Sequence, residues 1–366
     1  MLKYLTMNKK LKILFCNTDY GSAEQNFFFI KQNRQINIKN SVIVSTSINK
    51  RIFSKVKCDN KIYVSGYSIL LEKKITAMFE KKKIDFVILG LTYKKNSLEN
   101  NILKLLKKFG VKSGSIQDYW GHTGGFEKFN MPDIFWVADK FAKKTTLQKV
   151  NNSIVEITGI PKYENLKNEI ILKKNNTKRK NIVIIGQPIS LLGIKFFYNS
   201  VANIVSKIDY DIFFLAHPDD AKHSIKFFTK KIKNIKFIKK NFFLYSLLSK
   251  KTIIISYIST LAYDLIYAKY KLNVKSSVVI FFRIGKKILK LSKRDLGTSE
   301  LPLAEENISI AFNNEKKLLA LLNDSKSINI LGDSQLSNAK KYFTKFRNSS
   351  KRITQSIIKI LKKNDS

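Results

Sequence analysis

The chain has 366 residues, above the ~250–300 at which a single core stops growing, so two domains are expected. Apolar residues make up 44% and aromatic residues 12%, which excludes global disorder despite 26% charged residues. Lys and Arg number 68 against 27 Asp and Glu, a net charge of +41, and such an excess ordinarily points to nucleic acid or an anionic surface.

Two features turn the charge away from a dedicated nucleic-acid site. Only seven basic residues are Arg (34, 51, 179, 283, 294, 347 and 352), and Asn and Ile are abundant, the pattern that A/T-rich codon usage produces. The charge is also spread along the chain, +16 over residues 1–160 and +25 over 161–366. No specific nucleic-acid partner is expected. Cys16 and Cys58 are the only cysteines, which excludes a disulfide framework and a Cys-x-x-Cys metal site. No apolar stretch reaches the ~18–20 residues of a membrane span. Residues 1–12 lack the apolar region of a signal peptide, so a cytoplasmic location is expected.

Short apolar runs alternate with helix-like segments, the pattern of parallel α/β sheets. In the first half the predicted strands are 12–16, 41–45, 61–64, 85–89, 113–117, 134–138 and 154–157. Residues 68–82 and 97–109 keep the 3–4 apolar spacing of helices. Residues 161–180, polar and rich in Lys and Asn, read as a connection between domains. A second set of strands follows at 181–185, 211–215, 235–238, 252–256 and 276–282, with helices predicted at 190–207, 220–232, 242–250 and 259–269. The chain closes with helical patterns at 315–323 and 335–363. Open α/β sheets bind ligands beyond the carboxyl ends of their strands, so the loops that end the strands are the candidate sites.

The first such loop, Asn17-Thr18-Asp19-Tyr20-Gly21-Ser22-Ala23, precedes a predicted helix. Its N–H groups can receive an anion, or Asp19 or Ser22 can cap the helix. It lacks Gly-x-Gly-x-x-Gly, so nicotinamide-dinucleotide binding is unsupported. The loop 117–126 gathers Asp118, His122, three glycines and three aromatics. An Asp or His at a sheet edge is what general base catalysis needs. Gly186, Gln187 and Pro188 end the first strand of the second half. His217-Pro218 ends the next, with the proline fixing the backbone there. Finally Ser256, Ser259 and Thr260 mark a strand-to-helix junction whose hydroxyls can cap the helix and whose N-terminus can hold a phosphate.

His217-Pro218, followed some forty residues on by Ser256-x-x-Ser259-Thr260, resembles the second domain of GT-B glycosyltransferases. It is most similar to bacterial enzymes of surface polysaccharide synthesis that use cytidine nucleotides: the sialyltransferase and polysialyltransferase group, the capsule Kdo-transferase group and the CDP-glycerol glycerophosphotransferases. Gly159-Ile160-Pro161 is similar to the Gly-x-Pro that closes the first domain of many GT-B enzymes. The resemblance implies an α/β chain of two Rossmann-like domains facing a cleft: an acceptor domain at 1–160, a linker at 161–180, a donor domain at 181–330 and C-terminal helices at 331–366 that cross back to the first domain. It also implies that His217, Pro218, Ser256, Ser259 and Thr260 bind the donor phosphate; Gly186, Gln187 and Pro188, by their place at the end of a strand facing the cleft, are expected to join the donor-nucleotide site.

The implied activity is glycosyl transfer from a nucleotide sugar, a CMP-sugar in first place, to a glycan or lipid-linked acceptor of capsule or lipopolysaccharide type. The acidic-acidic-Gly motif of the sialyltransferase group is matched only by Asp19-Tyr20-Gly21, so the base is left open among Asp19, Asp118 and His122. Retaining GT-B enzymes often carry Glu-x7-Glu in the second domain; here the spacing of Glu72 to Glu80 falls in the first half and none falls in 181–330, which favours inversion. The Asp-x-Asp of residues 209–211 stands at the start of a predicted strand, not at its carboxyl end, and Asp219-Asp220 is only an adjacent pair. A reaction without metal or other cofactor is therefore expected, the leaving phosphate being met by donors and a helix N-terminus. The basic segment 351–363 carries an apolar stripe at 353, 357, 358 and 361 that suits either an anionic inner membrane or packing between domains. The alternatives are an enzyme resembling UDP-sugar 2-epimerases and a non-catalytic nucleotide-sugar or polyanion binder of the same fold.

Overall fold

The computed structural model describes residues 10–363 apart from 93, 95, 128, 165–179, 189–190, 218–220, 239–247, 249–250, 276, 297–299 and 344–347. The chain divides into two compact units, residues 1–164 with 345–366 and residues 165–344. Most of the expected linker, the expected helix at 242–250 and the pair Asp219-Asp220 lie outside the described residues, wholly or nearly so.

The first unit runs β1 (Ile13–Asn17), α1 (Tyr20–Gln32), β2 (Val42–Thr46), α2 (Lys50–Phe53), β3 (Asn60–Val64), α3 (Ile69–Glu80), β4 (Phe86–Leu89), α4 (Leu98–Phe109), β5 (Ser113–Ile116), β6 (Ile134–Val137), α5 (Lys140–Leu147) and β7 (Ile154–Ile157). The seven strands are parallel in the order β3-β2-β1-β4-β5-β6-β7. All residues of β1 and β4 are buried, as strands covered on both faces require. Side chains start the helices: Ser68 accepts from Leu71 N, Ser97 from Asn100 N and Asp139 from Ala142 N. Gly110, at φ 65°, ends α4 in the left-handed conformation a glycine adopts without strain. The direction of winding reverses between β1 and β4, which makes their carboxyl ends the topological switch point.

The second unit runs β8 (Asn181–Ile185), α6 (Ile194–Val205), β9 (Asp211–Leu215), α7 (Ala221–Lys231), β10 (Lys236–Phe237), β11 (Thr252–Ser256), α8 (Thr260–Leu272), β12 (Val278–Phe282), α9 (Lys286–Leu296), β13 (Ile310–Phe312), α10 (Glu315–Asn323) and α11 (Ser325–Tyr342). Its six strands are parallel in the order β10-β9-β8-β11-β12-β13, with the reversal between β8 and β11. An aromatic cluster fills its core, with ring centroids of Phe214 and Phe228 4.5 Å apart and Tyr198 4.9 Å from Phe228.

The expected helix at 335–363 is two helices. α11 ends at Phe343, whose backbone is extended, and α12 (Ser349–Lys362) begins after Asn348, at φ 66°. Only α12 crosses back. Its Ile353 and Ile357 enter the first unit's core beside Phe15, Phe29, Phe86 and Trp136. Trp136 Nε1 donates to Ser356 Oγ at 3.0 Å, and that hydroxyl donates to Glu156 Oε2 at 2.5 Å. Residues 353 and 357 of the stripe are therefore spent on packing, not on a membrane. α11, expected within the returning segment 331–366, stays with the second unit and packs through Ile328 and Gln335. Among the described residues no helix is long and apolar enough to cross a membrane.

Candidate functional site

Three of the expected site residues converge in the first unit. Asp19 stands two residues beyond β1 at the position that caps α1, with φ −95° and ψ 152°, yet its side chain makes no capping bond. Ser22 does not cap either; its hydroxyl donates to the Asp19 carbonyl at 3.0 Å. The Asp19 carboxyl instead hydrogen-bonds Thr92, beyond β4. Burial raises its pKa, the Thr92 bond and the charges of Lys94 and His122 lower it, and the charge of Asp118 raises it.

Asp118 follows β5 and places Oδ1 2.7 Å from His122 Nδ1, with both side chains largely buried. A Cβ on Gly21 would lie 3.0 Å from Asp118 Oδ2, so the first turn of α1 and the Asp118 carboxyl meet where a glycine leaves room. The ends of β1, β4 and β5, neighbours in the sheet, thus bring Asp19, Thr92, Asp118 and His122 into one cluster.

The loop that carries Asp118 and His122 is tied down along its length. Gln117 Nε2 donates to the His122 carbonyl and to Thr146 Oγ1, both at 2.9 Å. Trp120 Nε1 donates to Asp139 Oδ2 at 2.7 Å, and Lys149 Nζ donates to the Gly121 carbonyl at 2.8 Å. Gly125 N donates to the Thr92 carbonyl at 2.5 Å. Gly121, at φ 72°, packs where a Cβ would strike Thr145. A loop held this way presents its carboxylate and imidazole without further ordering.

Sequence reasoning missed Glu99, the second residue of α4. It is fully buried, and burial pushes its carboxyl up to about 7. It accepts from Thr18 N at 2.5 Å and from Thr18 Oγ1 at 2.6 Å. An acid in the first turn of a helix is common for dipole reasons, so the sequence offers no signal for the Thr18 contact.

In the second unit the expected residues lie at the ends of β8, β9 and β11, again neighbours in the sheet. Gly186 N donates to the Leu215 carbonyl at 2.7 Å. A Cβ on Gly186 would meet Leu215 O at 2.7 Å, Phe214 Cζ at 2.9 Å and His217 N at 3.0 Å, so the β8 exit runs directly against the backbone of half-buried His217. Gln187 is pinned by Tyr198, whose hydroxyl accepts from Gln187 N at 2.7 Å and bonds its carbonyl at 2.6 Å. Pro188 follows, half-buried. Pro218 lies outside the described residues.

Ser256 is the last residue of β11 and is fully buried; its hydroxyl has no hydrogen-bond partner among the described residues. Two residues later the turn into α8 begins. Ser259 caps α8, accepting from Leu261 N at 3.3 Å, and Thr260 opens the helix with its side chain exposed. Tyr257 donates to the Leu192 carbonyl at 3.2 Å, and Gly193, at φ 80°, packs where a Cβ would strike that hydroxyl. These residues form a neutral, donor-rich edge with a helix N-terminus, suited to an anion. Among the described residues no group of three or more His, Cys, Asp or Glu side chains is arranged to hold a metal ion.

No protein-family model matches the sequence, and comparison with curated proteins finds no match. Solved structures do match over nearly the whole chain. The Staphylococcus aureus MnaA–UDP complex is 14% identical, covers 96% of this chain and 97% of its own, and superposes with a TM-score of 0.68. The UDP-GlcNAc 2-epimerase of Neisseria meningitidis bound to UDP-GlcNAc is 15% identical, covers 95% of this chain and 100% of its own, with a TM-score of 0.60. MurG of Acinetobacter baumannii is 12% identical, covers 95% and 99%, with a TM-score of 0.58. At these identities the likeness establishes the fold: two Rossmann-like units of the GT-B class.

Proposed function

We propose that this chain is a glycosyltransferase that moves a sugar from a nucleotide-activated donor, a CMP-sugar in first place, to a hydroxyl of a glycan or lipid-linked acceptor with inversion. The observation that carries the reading is Asp19: a carboxylate at the first sheet's switch point, raised in pKa by burial and held beside Asp118 and His122. A carboxylate so placed can take a proton from an alcohol as the bond to carbon forms.

In the proposed step the acceptor hydroxyl gives its proton to Asp19 while its oxygen attacks the anomeric carbon. The bond from that carbon to the phosphate oxygen breaks, and the nucleotide leaves with the electron pair. His217, the hydroxyls of Ser259 and Thr260 and the N-terminus of α8 take up the developing charge. Ser256 adds a hydroxyl with unused capacity. Asp118 orients His122, and the pair sets the charge around Asp19. The reading gives donor binding to the second unit and proton removal to the first. Solved GT-B proteins with UDP or UDP-GlcNAc bound support a nucleotide-sugar ligand for a chain of this fold.

The second reading, epimerisation of a UDP-sugar at C2, draws on the UDP-GlcNAc 2-epimerases among those structures. Incubation with CMP-, CDP- and UDP-sugars in heavy water separates the readings. Nucleotide released only when acceptor is added supports transfer. Deuterium entering C2 without acceptor supports epimerisation, and saturable binding with neither reaction supports a binding protein. Under the transferase reading a chelator leaves the rate unchanged.

A further inference from the structure

Thr18 is the last residue before Asp19, and Glu99 holds it by two groups at once, the backbone N–H and the hydroxyl. The Thr18 carbonyl is held in turn by Thr46 Oγ1 at 2.7 Å and by Asn49 Nδ2 at 3.3 Å. Every polar group of Thr18 is therefore engaged, and the chain leaves β1 for Asp19 from a fixed point. The β4 exit is shaped around the same carboxyl: a Cβ on Gly90 would lie 3.0 Å from Glu99 Oε1 and 2.6 Å from Ser22 Oγ. The titratable groups that face Glu99 are Cys16, on β1, and Asp19. The Cys16 thiol is pushed up by burial and by the Glu99 charge, and the Asp19 charge raises Glu99 in turn. A glutamine would hold the Thr18 N–H without the cost of burying an ionisable group, but its amide could not also accept from the hydroxyl through a second oxygen.

We propose that Glu99 is a positioning residue for Asp19: its carboxyl clamps Thr18 so that Asp19 leaves β1 extended, turned toward Thr92 and Asp118. The proposal rests on the reading of Asp19 as the base. It adds a group outside the reacting atoms that governs how the base is presented.

The test combines kinetics with carbon-13 titration of the Asp19 carboxyl in the folded protein without substrates. Glu99→Gln is expected to lower kcat about tenfold to a hundredfold while leaving KM within about twofold, because the base is misplaced and the donor site is untouched. Thr18→Val is expected to reproduce that loss, Thr18→Ser to restore it, and the double variant Thr18→Val/Glu99→Gln to lose no more than either single change. In the wild type the Asp19 resonance is expected to show, besides its own titration, an inflection near the point where Glu99 ionises, and Glu99→Gln removes it. A wild-type kcat in Glu99→Gln, or an Asp19 titration that the substitution leaves unaltered, overturns the role of Glu99. Should Glu99→Gln fold poorly, the Thr18→Val and Thr18→Ser pair decides the same question. Turnover that survives Asp19→Asn overturns the base instead, and the titration, which needs neither donor nor acceptor, still decides whether Glu99 governs Asp19.

Discussion

Both units bury an ionisable side chain whose pKa is driven to about 7, from opposite directions, and they use it differently. In the first unit Glu99 sits at the carboxyl end of the sheet and holds Thr18, one residue from Asp19. In the second unit burial lowers Lys269 to about 7, and its Nζ donates to the carbonyls of Ser277 and Gly332, each at 2.5 Å, and to Gln335 Oε1 at 3.5 Å. Gln335 also bonds both backbone groups of Val279 and the Ile308 carbonyl. Lys269 therefore fastens α11 to β12, about 14 Å along α8 from Thr260. One buried charge serves a strand-end site and the other serves packing. Position relative to the carboxyl edge of the sheet, not the size of the shift, tells them apart.

The largest expected effect breaks the comparison at its functional side. Asp19→Asn should lower kcat by about 10²–10⁴-fold, the range for loss of a general base, with nucleotide binding unchanged. Lys269→Met should leave kcat near the wild-type value. A loss of turnover in Lys269→Met equal to that of Asp19→Asn would erase the distinction.

The pH dependence of stability sharpens the same contrast, because the two groups act in opposite windows. Glu99 has a folded pKa raised from 4.5 to about 7, so its contribution is full below 4.5 and is lost as pH rises through about 7. The change is on the order of 3 kcal/mol, and Glu99→Gln should flatten it in denaturant titrations. Lys269 has a folded pKa lowered from 10.5 to about 7, so its contribution is full above 10.5 and is lost as pH falls through about 7. Lys269→Met should flatten that limb and leave the acid limb in place.

Smaller effects test the second unit's edge. Gly186→Ala should cost about 1–3 kcal/mol, because the new Cβ has only backbone and a ring to displace, and it should weaken nucleotide binding by shifting His217. Ser256→Ala should leave thermal stability within about 0.5 kcal/mol or raise it, since it removes a buried hydroxyl that has no partner among the described residues. Its nucleotide-induced rise in melting temperature should nonetheless shrink. An unchanged rise would assign Ser256 to the core alone.

Much of the fold is legible in the sequence, because parallel strands buried on both faces read as apolar runs. β13 escapes that reading: three residues long and only partly buried, it leaves no run to see. α9 escapes because Lys286–Leu296 is dominated by lysines, which hides its apolar spacing. The break between α11 and α12 is hidden because Asn, though at ease in the left-handed turn that Asn348 adopts, is too common in this chain to mark a helix boundary. Strand-end loops mark the candidate site residues, and glycines and an imidazole stand out within them. Their meeting does not. Asp19 and Asp118 lie far apart in the chain and come together only because β4 and β5 follow β1 in the sheet, and Gly186 reaches His217 only through the pairing of β8 with β9. Glu99 is hidden for a different reason, since its role lies in what Thr18 donates to it.

The division of labour between the two units is tested most directly by calorimetric titration of CMP into the wild type, Asp19→Asn and His217→Ala. The account predicts saturable binding to the wild type, the same affinity for Asp19→Asn, and loss of binding in His217→Ala. Unchanged binding in His217→Ala, or loss confined to Asp19→Asn, would contradict it.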